Sequence, residues 1–433
     1  MKILLVMPHP NPKRSFFSKF QYPSSTLQQI AALTPKKHSV TIVDERYKDV
    51  PFSSKYDLVG ISSLTYNVYR GYEIAKKYKE MGVPVVFGGY HASLMPDEVK
   101  EHADSVVVGE AELTWPQLLK DLEHGEMKKI YTSPRVVKAE EIIPARHDIG
   151  VFTPFAQAIQ ATRGCPVGCE WCAMNRVEGR TFRARPIEDV IKEMKSVDAK
   201  TIFFADASIT INPKYTKALF KEMKKLNKKF ECFGNINVVA KDEEFLQLAK
   251  EAGVTKWYLG IESISQENIN QAGKSTNKVS DYRKAVQNIK KDGMDVTGFF
   301  IFGLDGDNPE TFDRTLEAMN KFGLDEASFS ILTPYPGTPL FYRMKKEGRI
   351  TNFDWSDYDE GKVNYTPKNM TQEELLEGIR RISLEFYSIQ NCLKRSIHDG
   401  TMNPIKIVSR FIANISIRSF YLHEKFPKQK SVK

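Results

Sequence analysis

A short apolar run followed by a helix-length amphipathic stretch recurs along this chain in two long series, and that recurrence restricts the fold more than any other feature. In the first series KILLVMP, SVTIVDE (Ser39–Glu45), DLVGISSL (Asp57–Leu64), PVVFGGY from Pro84 and SVVVGEAE from Ser105 read as strands. STLQQIAALT, YRGYEIAKKYKEMG, MPDEVKEHA and LTWPQLLKDLEHG read as the helices between and after them. Strands that are apolar throughout are covered on both faces, and strands that alternate with helices pair in parallel. The expectation is an α/β, doubly wound domain of about five strands over residues 1–128. The charged stretch MKKIYTSPRVVKAEEIIPARHD breaks the alternation, so residues 129–150 read as a linker.

The alternation resumes with FAQAIQATRG (Phe155–Gly164). TIFFADAS (Thr201–Ser208), KFECFGNIN, KWYLGIES, DVTGFFIFG and EASFSILTPYP follow as strands, each preceded by a helical stretch, the last ending near Pro336. Six such units predict an incomplete parallel β/α barrel over residues 151–340, a fold that places its chemistry at the carboxyl ends of the strands. Residues 341–433 are expected to form a helical region, since TQEELLEGIRRISLEFYSIQNCLKRSI carries helical periodicity.

Composition sets the remaining bounds. The chain has 433 residues, 41% hydrophobic and 27% charged, the balance of a globular protein with room for several domains. No apolar run approaches the ~18 residues of a spanning helix. The start, MKILLVMPHPNPK, reads as a strand rather than a secretory signal. Five cysteines, three of them clustered, do not make a disulfide framework; they point to a reducing, cytoplasmic compartment and to a metal site.

That cluster lies in ATRGCPVGCEWCAMN, directly after the first barrel strand, with Cys165, Cys169 and Cys172 in a C-x3-C-x2-C pattern. A tetrahedral structural zinc site takes four protein ligands and would need a distant fourth, His147 being the nearest preceding histidine. An iron–sulfur cluster fits three thiolates better, because one of its irons can remain open to another ligand. Gly164, Pro166 and Gly168 keep the loop tight, and Trp171 would flank the cluster with an apolar ring.

With those residues in place, the chain resembles the cobalamin-binding-domain radical S-adenosylmethionine (SAM) enzymes, whose front domain is Rossmann-like. The resemblance runs to about residue 390, through GGYHASLMPDE (Gly88–Glu98), GEAELTWPQLL (Gly109–Leu119), RARPIEDVIKE (Arg183–Glu193), LGIES (Leu259–Ser263), GFFIFGLDGD (Gly298–Asp307) and PYPGTPLFYRMKKEGRI (Pro334–Ile350). It implies that Cys165, Cys169 and Cys172 bind three irons of a [4Fe–4S] cluster whose fourth iron chelates SAM. An electron from the cluster would cleave SAM to methionine and a 5′-deoxyadenosyl radical that abstracts hydrogen from an unactivated carbon. Trp171 would lie near the adenine, Asp206, Asn235 and Glu262 at strand ends would hold methionine and ribose, and Ile301 and Gly303 would lie against the adenine. The last five also suit caps, loops and core packing. Arg183 and Arg185 suit carboxylates of SAM or substrate, or surface salt bridges.

For the front domain the resemblance implies a cobalamin site. The D-x-H-x-x-G motif that supplies a cobalt-binding histidine is absent. Ser62, Ser63 and Thr65 would instead meet the macrocycle, while Gly88, Gly89, His91, Gly109 and Glu110 would line the nucleotide tail. His91 equally suits an ordinary loop histidine. Relatives that keep such a domain without cobalamin leave the cofactor less settled than the fold.

Cys232 and Cys392 stand alone and read as structural. After Leu393 the chain carries nine Lys or Arg against Asp399 and Glu424. Within this tail Ile405, Val408, Ile412 and Ile415 share one helix face, suited either to capping the barrel or to an anionic membrane surface. No nucleic-acid recognition module is visible. Three functions stay open: cobalamin-dependent radical methylation of carbon; radical ring closure, carbon–carbon coupling or rearrangement without methyl transfer; and non-catalytic binding of cobalamin or cluster. The expected partners are a small-molecule, lipid, tetrapyrrole or peptide substrate and an electron donor such as flavodoxin or ferredoxin.

Overall fold

The computed structural model describes residues 1–10, 25–150, 156–397 and 404–426. Its front sheet contains β1 (Lys2–Met7), β2 (Ser39–Asp44), β3 (Leu58–Ser62), β4 (Val85–Gly88), β5 (Ser105–Val108) and β6 (Ile130–Thr132). All pairings are parallel, in the order β2-β1-β3-β4-β5-β6. Ile3, Leu4, Leu5, Val6, Leu58 and Val59 are sealed between helices on both faces, which explains the unbroken apolar runs. The order reverses between β1 and β3, so a crevice opens at their carboxyl ends.

The sheet has six strands rather than about five. Ile130–Thr132, expected to be linker, pairs with β5 and buries Tyr131. A strand of three residues set among charges is too short to show periodicity.

The second sheet joins β7 (Ala156–Ile159) to β10 (Thr201–Phe204), β11 (Lys229–Gly234), β12 (Val254–Glu262), β13 (Asp295–Phe302) and β14 (Glu326–Ile331), all parallel and in sequential order. β8 (Thr162–Arg163) and β9 (Arg183–Ala184) form a separate antiparallel ribbon. The six-stranded sheet does not close, so β14 is an edge that needs covering. The carboxyl-terminal region covers it with tyrosines. Tyr387 Oη accepts from Ala327 N–H at 2.8 Å and donates to the Ala327 carbonyl at 2.7 Å. Tyr421 Oη accepts from Phe329 N–H at 2.8 Å, and Ile331 N–H donates to the Glu360 carbonyl at 2.9 Å.

The same region reaches the front domain. Trp355 Nε1 donates to Glu98 at 2.9 Å, and Glu98 also accepts from Tyr72 Oη at 2.8 Å. Cys232 and Cys392 are fully buried. The expected tail face divides: Ile415 packs towards the barrel core with Phe411, Ile417 and Phe420, whereas Ile405, Val408 and Ile412 point outward. Among the described residues no helix is long and apolar enough to cross a membrane.

Candidate functional site

The cysteine loop is pinched off by the β8–β9 ribbon. Gly164 opens it at φ +77°, and a Cβ there would lie 2.1 Å from the Thr181 carbonyl oxygen, so only glycine fits. Asp206, just past β10, anchors the start: its carboxylate accepts from Ala161 N–H at 3.1 Å and from both N–H and hydroxyl of Thr162. Glu170 holds the far side, donating its N–H to the Ala272 carbonyl at 3.1 Å while its carboxylate pairs with Arg343 at 2.7 Å.

Cys165, Cys169 and Cys172 are free and half-buried. Burial pushes the Cys169 thiol up to about 12, opposed by the positive charge of Lys274, and raises Cys165 and Cys172 as well. Such thiols become good ligands only when a metal replaces their protons. Among the described residues no three His, Cys, Asp or Glu side chains close on a single ion. A [4Fe–4S] cube ties each sulfur to a different iron and so asks for a wider triangle. Three half-buried thiols on one loop, within electrostatic reach of one another and of a lysine, fit that demand.

Beside the loop, at the carboxyl end of the barrel strands, is a cavity of about 280 Å³ lined by Trp171, Asn235, Glu262, Lys274 and Ile301. Glu262 ends β12 at φ +64°, in the left-handed region that a glutamate occupies only when its surroundings hold it there. The backbone before it is held by Asn277, which donates to the Gly260 and Ile261 carbonyls, and by Tyr282, which donates to Ile261; the Glu262 side chain pairs with Lys274. Burial works against the Lys274 charge, but Glu262 and Cys169 beside it keep its pKa above the ordinary value. Sequence reasoning missed Lys274. It follows Gly273 in a turn after the helix Gln266–Gln271, and nothing in QAGKST announces that this turn leans on the cysteine loop. Of the seven barrel positions expected to bind, other than the cysteines and Trp171, the cavity brings together Asn235, Glu262 and Ile301. Asp206 is 2% exposed and engaged with the loop backbone. Gly303 turns away, its carbonyl accepting from Tyr365 Oη at 2.6 Å. Arg183 and Arg185 make buried rather than surface pairs, with Glu110 at 2.7 Å and Glu193 at 2.6 Å.

A larger cavity, about 520 Å³, lies at the front sheet's switch point and is shared with the barrel. Ser62, Gly88, Gly89, Gly109 and Glu110 line it from the front, and Ala158, Gln160, Phe203 and Ala205 from the barrel. A Cβ on Gly88 or on Gly109 would meet nothing closer than 4.0 Å, so bare backbone floors an open space suited to a broad, flat group. Glu110 has a second task. It meets Arg183 and, at 3.0 Å, Arg163, which also pairs with Glu112 at 2.7 Å, so a buried ion cluster bolts the two domains together at the cavity wall. Ser63, Thr65 and His91 do not line this cavity. β4 stops at Gly88, and the helix Gly89–Leu94 begins where the sequence suggested strand, which rotates His91 inward. There His91 Nδ1 lies 3.3 Å from Thr65 Oγ1, with its ring against Trp355.

Comparison with known proteins agrees with this layout. Residues 31–119 match the B12 binding domain, residues 159–319 the Radical SAM superfamily, and residues 338–410 a domain of unknown function (DUF4070). The bacteriochlorophyllide d C-12(1)-methyltransferase of Chlorobaculum tepidum is 33% identical over 383 residues, covering 85% of this chain and 83% of that protein. The chain belongs to the cobalamin-binding radical SAM enzymes. The cofactors of that family are a [4Fe–4S] cluster, SAM and cobalamin. The anaerobic magnesium-protoporphyrin IX monomethyl ester cyclase of Cereibacter sphaeroides is 28% identical over 370 residues, 76% of this chain and 60% of that protein. In fold, this radical SAM enzyme is similar to the methyltransferase TsrM from Kitasatospora setae, solved with cobalamin and a [4Fe–4S] cluster. The TM-score is 0.68 at 14% identity, over 97% of this chain and 99% of that one.

Proposed function

We propose that this enzyme methylates an unactivated carbon of a small apolar substrate of the tetrapyrrole or lipid class. One observation carries the reading: the front cavity is shared, so a group seated on Gly88 and Gly109 looks directly into the mouth of the barrel that holds the cysteine loop. The curated relative that methylates a tetrapyrrole supports it. When bound, the cluster supplies the electron for reductive cleavage of SAM, and cobalamin supplies the methyl carrier.

The residues take roles accordingly. Cys165, Cys169 and Cys172 hold the cluster. Lys274 takes the methionine carboxylate of SAM, and Glu262, released from it, takes the ammonium or the ribose hydroxyls. Asn235, Trp171 and Ile301 complete that pocket, and Ser62, Gly88, Gly89, Gly109 and Glu110 receive cobalamin. Phe203, Phe233, Tyr258 and Phe299, packed ring against ring at centroid distances of 5.3–6.0 Å, line the barrel lumen with a surface that excludes water and suits an apolar substrate. A small reduced protein of the flavodoxin or ferredoxin type delivers the electron, and the basic carboxyl-terminal helix brings the enzyme to a membrane where such a substrate dissolves.

Anaerobic turnover with methyl-deuterated SAM tests the reaction. The product is expected to carry the labelled methyl on carbon. The cyclase relative supports a second reading, ring closure without methyl transfer. Deoxyadenosine formed alongside an unlabelled product establishes that reading and ends the first.

A further inference from the structure

The helices Ile389–Ile397 and Pro404–Phe420 pack against each other on the outside of the barrel. Three of their arginines point inward. Arg395 donates to the Phe386 carbonyl at 2.7 Å and to Asn414 Oδ1 at 2.8 Å, with its guanidinium 3.9 Å from the centre of the Phe386 ring. Arg410 pairs with Asp295, and Arg418 donates to the carbonyls of Leu384 and Tyr387 at 3.0 and 3.1 Å. Six aliphatic residues point outward: Ile389, Leu393 and Ile397 on the first helix and Ile405, Val408 and Ile412 on the second, each 49–78% exposed. The spacings, i, i+4, i+8 and i, i+3, i+7, place each trio in a single row. Scattered apolar side chains on a surface mean little, but two such rows on adjoining helices form a patch that calls for a partner.

We infer that this helical pair is a docking face for an anionic membrane surface, contributed equally by both helices and not by the basic carboxyl-terminal helix alone. The choice of partner rests on charge. Between Ile389 and Phe420 the sequence has one acidic residue, Asp399. Arg395, Arg410 and Arg418 are engaged by inward partners, which leaves Lys394 and, by sequence, Lys406 as the cations of this stretch that can meet a partner. Lys394 is exposed beside Leu393, and Lys428, Lys430 and Lys433 follow in the sequence. A second copy would set these positive charges against one another. A bilayer bearing acidic headgroups satisfies them while its acyl boundary receives the aliphatic rows. No described helix is long and apolar enough to cross, so the pair lies on the surface. The inward arginines give the arrangement its stiffness, fastening both helices to the barrel so that the rows cannot turn in and hide. This inference stands on the surface itself and does not require methyl transfer.

Vesicle flotation of the full chain tests it. The protein is expected to float with phosphatidylcholine vesicles containing phosphatidylglycerol, to bind pure phosphatidylcholine more weakly, and to lose binding as salt rises. Val408→Glu with Ile412→Glu, and separately Leu393→Glu on the other helix, should each weaken flotation roughly tenfold. Reductive SAM cleavage and circular dichroism should stay unchanged, which shows that the variants fold. Three results overturn the inference: wild-type protein that floats with neither vesicle, charge variants that float as well as wild type, or a gel-filtration dimer that the same variants convert to monomer without any vesicle binding.

Discussion

The cavity at the front sheet is floored by glycines, walled largely by apolar side chains with the Glu110–Arg163 ion cluster at one side, and spans two domains; the one inside the barrel has about half its volume and sets the Glu262–Lys274 ion pair among aromatic and aliphatic side chains. In the first, space is made by leaving side chains out, and a large flat group would be held by shape and by backbone. In the second, a half-buried lysine and a glutamate in the left-handed region face each other, and a small charged ligand would be held by exchanging their partner for its own groups. The two sites therefore respond to different damage. Bulk should close the first and leave the second alone, whereas removal of one ligand atom should empty the second and leave the first intact.

The largest expected effects come from that crossed pair. Cys169→Ala should abolish the cluster and SAM cleavage while the protein still binds hydroxocobalamin. Gly88→Phe, at a backbone angle open to any residue and with free space before it, should weaken cobalamin binding by about a hundredfold or more while ~four irons per chain and SAM cleavage are kept. Iron analysis and cobalamin titration read both arms. SAM cleavage by Cys169→Ala would mean the ligand set is different, and loss of iron in Gly88→Phe would mean the sites are not separable. Cys232→Ala, deep in the barrel core, should keep both cofactors.

The same contrast explains what could be read from the sequence. Both sheets were legible because their strands are apolar runs, sealed on two faces in the front sheet and, in the barrel, buried on the helix side with a lumen face rich in aromatic rings, and because their helices have one apolar side; this patterning repeats over many residues. The cysteine triplet was legible because spacing within one loop survives folding unchanged. Features that depend on chain segments meeting were not. Lys274 reaches the site by a turn that touches the cysteine loop about a hundred residues earlier. Glu110 looked like a cofactor contact at a strand end, and it also serves as the partner of Arg163 and Arg183. His91 was misplaced because a strand ended two residues sooner than its apolar run suggested. The tail helix turns Arg410 and Arg418 inward together with Ile415, and leaves Ile405, Val408 and Ile412 of the expected face exposed.

A smaller effect sharpens the charged cavity. Lys274→Met removes the cation that both SAM and the thiolates would feel. If its work is to bind the SAM carboxylate, SAM affinity should fall at least roughly tenfold at unchanged iron content. Lys274→Arg should restore part of the affinity. Equilibrium binding of SAM to the oxidised cluster form separates this from a turnover effect. Loss of iron in Lys274→Met would instead assign the lysine to the thiolates.

The smallest effect belongs to Asp206, which the sequence offered as a SAM ligand and the structure engages in holding the loop. Burial raises its carboxyl to about 7, against the pull of the three hydrogen bonds from Ala161 and Thr162. Because the folded-state value exceeds the ordinary 3.8, the folded protein holds this proton more tightly than the unfolded chain does. Its contribution is then greatest below about pH 4 and declines as pH rises towards 7. Asp307, raised to about 7 by its own burial, titrates over the same range, so the slope of the wild type alone assigns nothing. The difference between wild type and Asp206→Asn does. Asparagine must turn an amide N–H₂ towards one of the backbone donors, which costs about 1–3 kcal/mol. It also has no proton to lose. Urea midpoints measured across this range should therefore show a wild-type advantage that shrinks as pH rises. Iron retention during the melt should fall in the variant, because the hydrogen bonds that are lost fix the first residues of the cysteine loop. A stability difference that is flat with pH would mean that Asp206 is ionised throughout, its three donors outweighing burial. Unchanged iron retention would mean that the loop is held by Glu170 and Arg343 from its other side.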